Sequence, residues 1–141
     1  MEWTARTAEL LRNGRLDEVD LENVAEEIES LGRSERSAVR SQLRRMLVHL
    51  VKVSIQPERA GASWRAAVAS ARTEILDLIG DSPSLRRHAA ESLQRIYREA
   101  VELALIETNM TDQAKELDIP KDCPYSLGKL LEGSLDALWR R

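Results

Sequence analysis

From Leu21 to Ile55 the apolar positions recur without a break in phase. Leu21, Ala25, Ile28, Gly32, Glu35, Val39, Leu43, Met46 and Leu50 follow one another at steps of three or four. That spacing keeps side chains on one face of an α-helix. Gly32 falls in register within the stripe, so the pattern predicts one helix through it, bent at most there. At about 1.5 Å per residue such a helix is a rod of roughly 50 Å, long enough to line a small domain. Past Met46 the residues are apolar on most sides (Leu47, Val48, Leu50, Val51, Val53, Ile55), which marks a centre packed by several neighbours.

Shorter patterns flank this rod. Trp3, Thr7, Leu10 and Leu11 have helical spacing, and Asn13-Gly14 stops that first helix. Asp17 or Asp20 can cap the long helix, with Leu16 stapling to Leu21 in the first case and Val19 to Val24 in the second. Gln56-Pro57 ends the rod, because proline excludes the helical conformation at the residue before it. After a tight reversal at Glu58 to Ala62, a third helix carries Trp64, Ala67, Val68, Ala71, Ile75, Leu78 and Ile79, closed by Gly80. Ser82-Pro83 opens a fourth, bearing Leu85, Ala89, Leu93, Ile96, Ala100, Leu103 and Ala104 and ending near Asn109. Thr111 to Pro124 reads as an extended polar connector. Ser126 then caps a last helix with Leu127, Leu130 and Leu131, and Leu135, Leu138 and Trp139 form one more turn. Short connections set sequential helices antiparallel.

The 141-residue length suits one domain, residues 1–141. Phe is absent and aromatics are few, so Leu, Ile, Val and Ala fill the core, a palette suited to interlocking helices. The net charge of −3 weighs against a dedicated nucleic-acid binder. Cys123 is the single cysteine, which excludes an internal disulfide and a cysteine metal cluster. No apolar run approaches the roughly 20 residues that span a bilayer, and the N-terminus lacks a signal-peptide core, so a cytoplasmic protein is expected.

Several strings along this path carry a family likeness. They are Leu16-Asp17 through Asp20-Leu21-Glu22-Asn23, Glu26-Glu27-Ile28-Glu29-Ser30-Leu31-Gly32-Arg33-Ser34-Glu35, His49-Leu50, Gln56-Pro57-Glu58, Ser63-Trp64-Arg65, Ser82-Pro83-Ser84-Leu85, Glu107-Thr108 and Cys123-Pro124-Tyr125. In order and spacing they resemble the bacterial family called domain of unknown function 29 over nearly the whole chain. The resemblance implies a small all-helical bacterial domain and supplies no activity.

The candidate site residues are Glu35, His49, Trp64, Glu107, Arg40 and Arg44. Glu35 and Glu107 fall on inward stripes, where a carboxylate is costly unless paired or protonated. They read either as acids poised for chemistry or as carboxylates met by an Arg, by a helix start or by solvent where the stripe leaves the core. His49 lacks an orienting acid at a fixed spacing, so no metal and no cofactor is expected. Trp64 reads as a core anchor rather than a stacking platform. Glu22, Glu26 and Glu29 share a face with Arg33, Arg36, Arg40 and Arg44, and the long helix holds six acids and six bases from Asp20 to Ile55. A face acidic at one end and basic at the other suits an antiparallel second copy. The resulting expectation is an all-α bundle of about four main helices built around one long helix, with a C-terminal helix packed back. The function it suits is a non-catalytic interaction module that self-associates as a homodimer. The alternative is an enzyme or small-ligand binder using inward Glu35, His49 and Glu107. Nucleic-acid contact through Arg33 to Arg44 ranks last.

Overall fold

The computed structural model describes residues 2–139. The first helix, α1 (Glu2–Arg12), stops where Asn13-Gly14 was expected to stop it. Gly14 takes a φ of 70°, a left-handed conformation that glycine adopts without a Cβ penalty. It lets the Arg15 N–H reach the Leu10 carbonyl at 2.9 Å and the Gly14 N–H reach that of Leu11 at 3.1 Å, a Schellman closure. A 3₁₀ turn, Leu16–Glu18, leads to the long helix α2 (Leu21–Ile55), which runs unbroken through Gly32. Of the two candidate caps, Asp20 is the one used: its carboxylate accepts the Asn23 N–H at 3.2 Å. This choice leaves Val19, in the staple position, buried.

The chain divides into two compact units, Met1–Ser34 and Glu35–Arg141. The first holds α1, the 3₁₀ turn and the opening part of α2. Val19 is its buried apolar residue among those described.

The second unit contains the core. Val39, Leu43, Met46, Leu47 and Leu50 of α2 join one apolar cluster with residues of α3 (Ala62–Asp81), including Val68, Ala71 and Ile75, and of α4 (Ser84–Glu107). From α4 come Leu85, Ala89, Leu93, Ile96, Ala100 and Ala104. Small alanines in phase with larger residues let the helices approach closely. Polar contacts give the helix directions. Arg40 meets His88, Arg44 meets Glu99 and Lys52 meets Glu107. Partner numbers rise together, so α2 and α4 run parallel, and α3 is the return stroke between them.

Helix α3 extends one residue beyond Gly80, and α4 starts at Ser84 with Pro83 in the cap position and no side-chain cap bond from Ser82. Asn109, at φ 56°, closes α4 as Gly14 closes α1, with the Met110 N–H donating to the Leu105 carbonyl at 2.8 Å. The connector is not fully extended: Thr111–Glu116 coils into a 3₁₀ helix. The chain beyond is pinned to α4 by the Tyr97 hydroxyl donating to the Pro120 carbonyl at 2.6 Å and by the Cys123 N–H donating to Gln94 Oε1 at 2.9 Å. Ser126 caps α5 (Leu127–Glu132) by accepting the Lys129 N–H at 3.1 Å. Leu130 and Leu131 of α5 and Leu138 of α6 (Leu135–Trp139) enter the core, so the C-terminal segment packs back as expected.

Candidate functional site

The apolar stripe of α2 is continuous in phase but not in burial. Val39, Leu43 and Met46 are fully buried, whereas Leu21 and Ile28 are each 63% exposed and Leu31, beside the stripe, is 61% exposed. Trp3, Leu11 and Leu16 of the same N-terminal unit are exposed as well. Six of the nine large apolar side chains that face solvent among the described residues thus lie in the first 31 positions. The spacing of Leu21 and Ile28 signals an inward face, and that expectation fails, since both side chains are largely exposed.

The basic end of α2 has a different fate from the one its spacing suggested. Arg44 donates through Nε and Nη2 to Glu99 Oε1, at 3.1 and 2.8 Å. Arg40 Nη1 lies 3.0 Å from His88 Nε2. A guanidinium has no acceptor, so His88 must accept there as a neutral imidazole with its proton on Nδ1. Burial first, then the positive charges of Arg40 and Arg36, pushes the His88 pKa down. Both arginines therefore make their contacts within the chain with residues of α4. His88 and Glu99 lie 48 and 55 residues from their partners, a separation at which sequence carries no pairing signal.

Glu35, His49 and Glu107 do not come together. Glu35 and His49 stand on one helix fourteen residues apart, roughly 21 Å at the helical rise. Glu35 is half-buried just before the point at which the stripe becomes enclosed. Glu107 is not inward. Its side chain is half exposed and receives Lys52 Nζ at 3.2 Å, because the last turn of α4 presents that position to solvent. The half-buried His49 places Nδ1 2.8 Å from the Arg45 carbonyl one turn back, which makes Nδ1 the protonated nitrogen. Trp64 is half-buried and outside the apolar cluster. Its ring has Lys52 Nζ 5.8 Å from the centroid. Lys52, only 12% exposed, thus lies between an indole face and a carboxylate, an arrangement that compensates a largely desolvated ammonium.

A cavity of about 230 Å³ near the end of α2 is lined by Leu50, Val53, Ser54, Pro57, Tyr125, Leu138 and Trp139. A wider depression of about 360 Å³ has Arg44, Glu99 and Glu102 beside exposed Leu103 and Ile106. No group of three His, Cys, Asp or Glu among the described residues is placed to hold a metal ion. No described helix is long and apolar enough to cross a membrane.

These features define an all-helical protein whose central helix carries its core-facing stripe on into an exposed segment. The model of the family described as "Domain of unknown function DUF29" matches residues 1–135, and the chain belongs to that family. It is similar in structure to an alpha-helical protein of unknown function from Rhodospirillum rubrum, known from a crystal structure. The two share 29% identity with a TM-score of 0.69, over 99% of this chain and 90% of that one. No curated protein matches the sequence significantly.

Proposed function

We propose that this chain is a cytoplasmic, non-catalytic helical interaction module that self-associates through its N-terminal unit. The observation that carries the reading is the exposed apolar face of Leu21 and Ile28, flanked by exposed Leu31, where Leu21 and Ile28 continue in phase a stripe that is fully buried further along the same helix. An amphipathic helix with a charged opposite face and no core beneath its apolar one gains stability by burying that face against a partner.

The choice of a second copy as partner rests on charge. Residues 2–15 carry Arg6, Arg12 and Arg15 against Glu2 and Glu9, while residues 20–34 carry five acids against Arg33 alone. Setting α1 of one copy beside the first part of α2 of the other therefore joins a basic element to an acidic one, and a two-fold axis repeats the contact. Charge steers such a pair more than it holds it. Burying a Leu or Ile side chain contributes about 1.5–3 kcal/mol. At roughly 60% exposure the six exposed residues of two copies supply on the order of 6–11 kcal/mol in gross terms, within the range needed to offset association entropy.

Sedimentation of the full chain across a concentration series tests this. The wild type is expected to dimerise at tens of micromolar. The triple variant Leu21→Gln, Ile28→Gln, Leu31→Gln is expected to stay monomeric with an unchanged helical melt of the core. A wild type that remains monomeric throughout the series refutes self-association.

A further inference from the structure

The facing sides of α2 and α4 gather more positive charge than they neutralise. Helix α2 presents Arg36, Arg40 and Arg44 at successive four-residue steps, and α4 presents His88, Glu91, Arg95 and Glu99 on one face. Arg44 is neutralised by its two hydrogen bonds to Glu99. Arg40 is not, since its hydrogen bond goes to an uncharged imidazole. Arg36 and Arg95 make no ion pair with any described residue, and both sit close enough to lower the proton affinity of His88. Glu91 opposes them. Arg40 thus meets a neutral ring directly, with Arg36 one turn before it on α2 and Arg95 two turns beyond His88 on the same face of α4.

We propose that Arg36, Arg40 and Arg95 around His88 bind a phosphate-type oxyanion, either free phosphate or a phosphate monoester. Like charges four residues apart on a helix are mutually destabilising, and a bound dianion reverses that term. Tying Arg40 down at one nitrogen orients its fork while leaving Nε and Nη2 to donate, the geometry in which arginine recognises phosphate. The cluster spans only a few turns and contains no aromatic residue between Arg36 and Arg44 or between His88 and Arg95. That favours a compact anion over a nucleic-acid strand, which uses stacking platforms along a groove.

Inorganic phosphate titrated into the full chain, with His49→Gln to leave one imidazole, tests the site by NMR. At fixed ionic strength, the His88 resonance should shift saturably, and its pKa should rise when phosphate is bound, because the anion stabilises the imidazolium. Arg36→Ala with Arg95→Ala should weaken binding at least about tenfold. Arg36→Lys, which keeps the charge and loses the fork, is the second variant should the double one not fold, and it too should weaken binding. Shifts that stay linear in phosphate, that chloride reproduces, or that survive Arg36→Lys and the double variant overturn the proposal. Displacement of phosphate by a single-stranded oligonucleotide that binds far more tightly through the same arginines overturns the small-ligand assignment.

Discussion

Leu31, beside the exposed part of the α2 stripe, and Leu43, within its buried part, stand on the same helix, yet truncating each to alanine should have different consequences. Leu43 is fully buried, so Leu43→Ala removes packed methyl groups and leaves a cavity, costing about 2–5 kcal/mol. For a chain of this size each kcal/mol lowers Tm by about 4 °C, so the melt should fall by roughly 8–20 °C. Leu31 keeps 61% of its surface in water. Leu31→Ala therefore forfeits under half of a burial worth about 1.5–3 kcal/mol, and alanine's higher helix propensity returns a few tenths. In an isolated chain the net loss should be about 0.5 kcal/mol. Within a dimer sealed over the stripe the same change removes about 1–2 kcal/mol per copy, a penalty that grows with protein concentration by mass action. Urea unfolding followed by helical circular dichroism, at a low and a high concentration, separates the terms. Equal losses for Leu31→Ala and Leu43→Ala at both concentrations would refute the reasoning, because the stripe would then be covered within one chain.

Three further outcomes follow from local geometry. Gly14→Ala meets no steric obstacle but must hold alanine at φ 70°, which should cost about 1–2 kcal/mol in thermal melts. The folded state holds the His88 proton less readily than the unfolded chain, whose value is 6.5. Its stabilising contribution is therefore complete above that pH and is lost as pH falls through the lowered folded value. His88→Gln should flatten this part of the stability profile, measured by urea melts at a series of pH values. Burial pushes the Cys123 thiol pKa up, outweighing a smaller opposing effect of the Tyr125 backbone. Its reaction with a disulfide reagent near neutral pH should accordingly be slower than that of the same thiol in denaturant.

Periodicity made much of the fold legible. The unbroken α2, its stop at Gln56-Pro57, the Gly14 closure and the Ser126 cap depend on local backbone chemistry that a few adjacent residues specify. What covers a stripe is not local. Leu21 and Leu43 look alike in sequence, and only the arrangement of α3, α4 and the C-terminal helices distinguishes them. Glu107 shows the same limit, since its phase marks an inward face while the terminal turn of α4 exposes the position. Trp64 has core spacing but lies beside Lys52, and Arg40 and Arg44 find partners on α4. Those partners are set by how two distant helices cross, for which one chain's spacing holds no code.

The uninterrupted path of α2 makes its residue count a form of gearing. Each residue inserted between Leu31 and Val39 would shift the phase of the apolar stripe along the helix by about 100°. One added residue would take Leu21 and Ile28 out of phase with Val39 and Leu43 along the helix. Seven would restore their direction to within about 20°. Chain length in this short interval thus acts as an adjustable dial for where the apolar face points. Relatives that vary in length here should differ by whole turns if that direction matters, and by any number if it does not.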